Sequence, residues 1–226
     1  MKEYRQHRFE RPTGATEFLL VRHGESRAAV PGSPFPLVDG QGDPELAVTG
    51  RAQAQRVAHR LKDHDIDAVY VTSLRRTQET ADPLLVHLDL TAGVEPDLRE
   101  VHLGDWEGGV FRMKVHEGDP LFAQMQSEER WDVIPGAESH SSIKSRVSRA
   151  LSKIVANHPD ELVVLVLHGG IIGHILAEAT MATPFSFNGC DNASISHLVA
   201  HEGRFILRGY NDISHLIGVE SDASPS

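Results

Sequence analysis

The run from Leu162 to Leu167, Leu-Val-Val-Leu-Val-Leu closed by His168-Gly169-Gly170, limits what this chain can become more than any other segment. A strand of six apolar residues has no face to offer to water, so both of its faces must be covered. Glu17–Arg22, with Phe18, Leu19, Leu20 and Val21, reads as a strand of the same kind, and Ala68–Val71 as a shorter one. Helical spacing separates them. Ala52, Val57, Ala58 and Leu61 recur through Thr49–His64, and Leu74–Leu88 forms a second helix. Ile143, Val147, Leu151 and Ile154 make a stripe through about Ser139 to Asn157, and Ile171–Ala182 forms a fourth helix. Ser194–Ala200 and Arg204–Arg208, joined at His201-Glu202-Gly203, read as a closing hairpin. Apolar strands alternating with helices predict an α/β three-layer sandwich, a mainly parallel central sheet flanked by helices.

Two stretches break the alternation. Val30–Pro44 carries Pro31, Pro34, Pro36 and Pro44 with Gly32, Gly40 and Gly42, and is expected to be a long loop. Leu98–Asp132 is expected to hold short helices at best. The 226 residues suit one domain, residues 15–217, between a polar extension, 1–14, and a small acidic tail, 218–226, both expected to be flexible.

A formal charge of −10 argues against nucleic acid or an anionic membrane as a partner. No apolar run is long enough to span a bilayer, the charged N-terminus does not resemble a secretory signal, and the lone Cys190 cannot form an internal disulfide. A cytoplasmic location is therefore expected. Any anionic ligand must be held by a local basic pocket.

In parallel α/β sheets, ligands bind beyond the carboxyl ends of the strands. At those ends stand Arg22-His23-Gly24-Glu25-Ser26, Thr72-Ser73-Leu74-Arg75-Arg76 and His168-Gly169-Gly170, so two histidines and several arginines share one rim. Planar guanidinium forks suit phosphoryl oxygens, and a neutral imidazole is a competent nucleophile near pH 7. A bare Arg-His-Gly is a weak signal. Four segments in order are a strong one: Arg22–Glu25, Ser73–Ala81, Leu98-Arg99-Glu100 with Gly104–Gly108, and Leu167–Gly170. Together they resemble the histidine phosphatase superfamily, phosphoglycerate mutase-like branch, over about residues 17–216.

The resemblance implies a phosphoglycerate mutase-like fold and a metal-independent phosphomonoesterase acting on a small phosphorylated metabolite. His23 would be the nucleophile, Arg22 and Arg76 the phosphate clamps, and His168 the second pocket histidine. Glu100 would be the proton donor, partly desolvated near Trp106. No cofactor or metal is implied, and a homodimer is possible by analogy. Gly169 and Gly170 would let backbone N–H groups approach an anion. Of the two adjacent arginines the family pattern selects Arg76, leaving Arg75 as a surface charge, and Trp106 is read as packing beneath the loop. Asn192-Ala193-Ser194 and Asn211–Leu216 are read as structural closing segments.

One position departs from the pattern. The asparagine that usually follows the first motif is Ala29 here, so its phosphate contact must come from elsewhere, with Arg27 and Gln41 as candidates.

Mutase-type phosphoryl transfer is the alternative closest in chemistry. The segment Val101–His140 carries eight acids against three bases, Arg112, Lys114 and Arg130, and is short beside the insert of the mutases. An acidic lid disfavours a doubly phosphorylated ligand, favours a phosphatase, and hints at a neutral, cationic or sugar-like leaving group. A catalytically weak phosphate-binding module is a third reading. A metallohydrolase is disfavoured by spacing, because His168 and His174 fall on different faces of a helix, while His197 and His201 belong to a solvated hairpin.

Overall fold

The computed structural model describes residues 3–218. Its elements in chain order are β1 (Thr16–Arg22), β2 (Leu37–Val38), β3 (Gln41–Gly42), α1 (Val48–Leu61), β4 (Ala68–Val71), α2 (Arg75–Leu88), β5 (Gly93–Val94), α3 (Val110–Glu117), α4 (Pro120–Glu128), α5 (His140–Asn157), β6 (Leu162–Leu167), α6 (Gly169–Thr180), β7 (Ile195–His201) and β8 (Arg204–Asp212). Six of the strands form one sheet in the order β5-β4-β6-β1-β7-β8. The first four run parallel; β7 turns antiparallel against β1 and β8 against β7.

The pleat sorts side chains into two cores. Phe18 and Leu20 of β1, with Val163, Leu165 and Leu167 of β6, face Ile143, Val147, Leu151 and Ile154 of α5 and Ile171, Ile172 and Ile175 of α6. Leu19 and Val21, with Val164 and Val166, face Val57, Ala58 and Leu61 of α1 and Ala81 and Leu84 of α2. The expected three layers are present, and β6 is buried on both sides as its sequence requires. At the other end of the sheet β8 is an edge strand whose residues alternate between exposed and half-buried.

Three features differ from the sequence reading. The stretch expected to hold short helices at best contains α3 and α4, and these help build a third small core around Trp106, Met125 and Ile134, lined also by Phe111, Phe122 and Trp131. The long loop contains the two-residue hairpin β2–β3. Helix α6 starts at Gly169, earlier than Ile171, so His168 is its extended N-cap residue at the end of β6.

Residues 3–13 lie outside helix and strand, and the Arg11 carboxylate partner is Glu17, 3.6 Å away. The expected C-terminal tail falls, beyond residue 218, outside the described residues. Among the described residues no helix is long and apolar enough to cross a membrane.

Candidate active site

Neighbouring strands β1, β6 and β4 all end at one rim, with Arg22 opposite Leu167 and Tyr70 opposite Leu165. His23 follows β1 directly. Its backbone N–H donates to the Leu167 carbonyl over 2.9 Å, and its own carbonyl accepts from Asn192 Nδ2 at 3.0 Å and Ala193 N at 3.2 Å. The closing segment around Asn192, read as structural, thus fixes the backbone of His23. On the far side, Gly24 N donates to Thr80 Oγ1 of α2 (3.0 Å) and Glu25 N to Gln53 Oε1 of α1 (2.8 Å).

The His23 ring is buried, and its Nδ1 lies 2.7 Å from the Gly24 carbonyl. A carbonyl only accepts, so the proton is on Nδ1 and the lone pair on Nε2. That lone pair accepts from Arg76 Nε at 3.2 Å. Burial holds the His23 pKa well below the usual imidazole value, and the charges of Arg76 and Arg22 lower it further, so the ring is neutral.

His168 lies behind it, fully buried, with ring centroids 5.2 Å apart. Its Nε2 is 3.0 Å from Thr72 Oγ1 after β4, while Nδ1 is buried without a partner. Burial, then the charge of Arg76, likewise keeps its pKa well below the usual value. Each of the two rings takes up a proton on unfolding below about pH 6.5, so their joint contribution is present above that pH and lost as pH falls. Moving from pH 7.5 to 5.5 should therefore cost roughly 2–3 kcal/mol of stability from this pair. Urea midpoints at the two pH values check this, and the drop should shrink by about half in His168→Gln.

The arginines separate as expected at one pair of positions. Arg75 is exposed and bonded to Glu79 at 2.6 Å, whereas Arg76 is buried, with Nη1 on the Gly42 carbonyl at 2.9 Å. Burial brings the Arg76 pKa down to about 10, with Glu100 and Asp43 opposing the shift, so it remains charged. Arg22 donates to the Cys190 carbonyl through Nη1, and its buried Nε has no partner. Gly169 is there because a Cβ would come within 3.3 Å of that Nε.

These groups line a cavity of about 260 Å³, walled by Arg22, His23, Gln41, Arg76 and Glu100 below and by Glu107, Phe111, Arg112 and Trp131 above. The Glu100 carboxyl accepts from Val101 N at 2.9 Å and from Gly170 N, at the start of α6, at 3.2 Å. Gly170 permits that approach, since a Cβ would sit 2.7 Å from Glu100 Oε1. Trp106 is buried in the lid core and also borders the cavity. Gln41 reaches the wall by donating Nε2 to the Glu100 carbonyl at 2.6 Å, leaving Oε1 unpartnered.

Arg27 lies outside this wall. Its guanidinium pairs with Glu45 at 3.2 Å, and only its backbone faces the site, where its carbonyl accepts from Arg112. Arg112, on α3, is the arginine the sequence reading passed over as one of three lid bases. Nη1 donates to Arg27 O (2.8 Å), Nη2 to Ser26 Oγ (2.7 Å), and the guanidinium lies 5.3 Å from the Phe35 ring centroid. Its surface opens on the cavity, while the protein around the guanidinium lowers its pKa by desolvation, with Arg22 adding repulsion.

The acidic lid expected from composition does not reach the cavity. Of its eight acids only Glu107 is on the wall, with both oxygens accepting backbone N–H groups. Asp119 pairs with Lys114, Glu128 and Asp132 with Arg130, and Glu138 with Arg146. The charge-based argument against an anionic leaving group therefore does not hold, and three guanidiniums face the ligand space.

The family model of the histidine phosphatase superfamily (branch 1) matches residues 18–213. A metal-independent phosphoserine phosphatase of Arabidopsis thaliana is 30% identical over 93% of this chain and 90% of its own length. Phosphoglycerate mutase-like protein 4 of the same plant is 35% identical over 88% and 86%. The solved structure of mycobacterial glucosyl-3-phosphoglycerate phosphatase superposes with a TM-score of 0.72 at 31% identity, covering 87% of this chain and 99% of that one. A match over nearly the whole sheet, with the two histidines and the arginines at the predicted strand ends, places this chain in the histidine phosphatase superfamily, and the phosphatases among its relatives make it a small-molecule phosphatase.

Proposed function

We propose that the enzyme hydrolyses a carboxylate-bearing phosphomonoester through a phosphohistidine on His23. The observation that carries the nucleophile is the Nε2 lone pair, fixed by the Nδ1–H bond to Gly24 and backed by Arg76. Nε2 attacks phosphorus while Arg22 and Arg76 hold the non-bridging oxygens, Arg76 exchanging its bond to Nε2 for one to a phosphoryl oxygen. With the Thr72 hydroxyl donating to His168 Nε2, the His168 proton sits on Nδ1 and is free to donate to the phosphoryl group. The ester P–O bond breaks and the leaving oxygen takes a proton from Glu100. Water then attacks the phosphohistidine and gives its proton to Glu100; the P–N bond breaks and neutral His23 returns.

Glu100→Gln tests the acid step. Turnover of an alkyl phosphate should fall about 10³-fold, and that of para-nitrophenyl phosphate, whose leaving group needs little protonation, less than about tenfold. Equal losses on both would remove Glu100 from that role. The phosphohistidine itself is tested by rapid quenching with labelled substrate, which should trap a label stable to alkali and labile to acid.

The carboxylate rests on Arg112. The hydrogen bonds of its guanidinium go to neutral oxygens, so a cation on the cavity wall has room for an anionic partner beside the phosphate. Two of the similar phosphatases carry in their names substrates, phosphoserine and a phosphoglycerate, that hold a carboxylate close to the phosphate. Arg112→Met should raise KM for phosphoserine or 3-phosphoglycerate about 10–100-fold, the worth of one charge-assisted bond, and change para-nitrophenyl phosphate less than threefold. A similar loss on both substrates would count against a carboxylate clamp.

A further inference from the structure

Away from the cavity, His174 and Glu178 stand one turn apart on α6, and His140 opens α5 opposite them. His140 Nε2 is 3.3 Å from Glu178 Oε1, and the rings of His140 and His174 meet edge to face with centroids 5.0 Å apart. One donor atom from each of the three residues lies within 4.8 Å of the other two. Tetrahedral zinc with bonds of about 2.0–2.1 Å sets its donors about 3.3 Å apart. One pair is at that spacing already. The others close by rotation of His140 and Glu178, whose side chains are 43% and 37% exposed and free to turn.

We propose that His140, His174 and Glu178 form a binding site for zinc or a similar borderline transition metal ion, separate from the catalytic groups. Two imidazoles and one carboxylate are a donor set suited to such ions rather than to calcium or magnesium. His174 is the anchored ligand. It is 6% exposed, and burial, with His140 next, brings its pKa down to about 4, so its lone pair is available at neutral pH. Lys144 Nζ holds the second oxygen of Glu178 at 2.6 Å, which orients the carboxylate and leaves Oε1 for the metal. A cavity of about 310 Å³, bounded by His174, Glu178, His201 and Arg204, adjoins the site and leaves space for water as a fourth ligand.

The ion would join the first turn of α5 to the middle of α6. Helix α6 carries Gly170 against Glu100 at its N-terminus, and α5 follows Glu138, which binds Arg146 and accepts from His102 N. Metal at this point would stabilise the junction between lid and sheet without entering the reaction.

Chelator-stripped full-length protein is titrated with zinc and, separately, with cobalt(II). Zinc at a hundredfold excess over its Kd should raise Tm by about 5–10 °C. Cobalt should give one equivalent of a visible band with the intensity of a four-coordinate site. Both signals should vanish in His140→Ala and in Glu178→Gln, substitutions at half-exposed positions that spare the buried His174. Turnover of para-nitrophenyl phosphate by the stripped wild type should stay within twofold of the zinc-loaded protein. Absence of both signals from the wild type, or their persistence in both variants, would overturn the assignment, the second outcome placing the ion elsewhere. Turnover that requires zinc would also overturn it, because the ion would then serve the reaction.

Discussion

His23→Ala is expected to lower turnover of para-nitrophenyl phosphate by at least about 10⁴-fold, since loss of a covalent nucleophile leaves only binding and electrostatic assistance to water. The chain should still fold. What holds this position is backbone: the His23 N–H on Leu167 O, and its carbonyl under Asn192 and Ala193. Alanine keeps all three bonds. It also removes a ring whose burial already opposes its charged form. Arg22, Arg76 and Arg112 remain, so inorganic phosphate or vanadate should bind within about tenfold of wild type by calorimetry. More than about one per cent residual turnover would refute His23 as nucleophile. Lost turnover together with lost phosphate binding would point instead to collapse of the rim.

Gly50→Ala should produce the largest loss of stability for the smallest change in side chain. Gly50 lies in the first turn of α1, where an added Cβ would come 1.9 Å from the Glu25 carbonyl oxygen and 2.9 Å from its nitrogen. The reciprocal contact is equally tight, with a Cβ on Gly24 falling 2.5 Å from Gly50 O. Both obstacles are backbone, so no rotamer relieves them. Helix and turn must separate, costing about 3 kcal/mol, or roughly 6–12 °C in Tm for a domain of this size. Because Glu25 is two residues from His23, kcat should fall as well, of the order of a hundredfold for an ångström of displacement. Gly209→Ala is the matched control: its nearest neighbour would be His197 Cβ at 3.9 Å, an ordinary contact. A Gly50→Ala protein as stable as that control would mean the helix can move away freely.

The parts of this molecule legible in its sequence are those where local pattern and long-range demand agree. Strands β1 and β6 had to be covered on both faces, and the chemical residues had to follow them; Arg22, His23, Arg76 and Glu100 do meet on one wall. The lid was less legible because its helices do not carry a strong apolar stripe. No residue of α3 is fully buried and only Met125 is in α4; aromatic rings from Trp106 to Phe185 supply the order instead. Arg112 was missed for the same reason, since a net charge counted along a segment does not say which way each side chain points. Arg27 was favoured for its nearness to Ala29 in sequence, but Glu45 across the turn holds its charge away from the cavity. The histidine–glutamate cluster escaped a search for metal ligands within one helix. His174 and Glu178 have the spacing of adjacent turns, but their partner, His140, comes from α5 across a packed interface.

The lid has its own small core around Trp106, Met125 and Ile134, and this has a bearing on how such enzymes diversify. Its packing is largely independent of the two cores that flank the sheet, so a change on α3 or α4 can reshape the ceiling of the cavity while leaving the reactive histidines in register. Substrate preference and chemical competence are then inherited on separate pieces of the chain. A new preference can be reached by a few substitutions over an unaltered reaction centre, and position 112 is where the first of them would register.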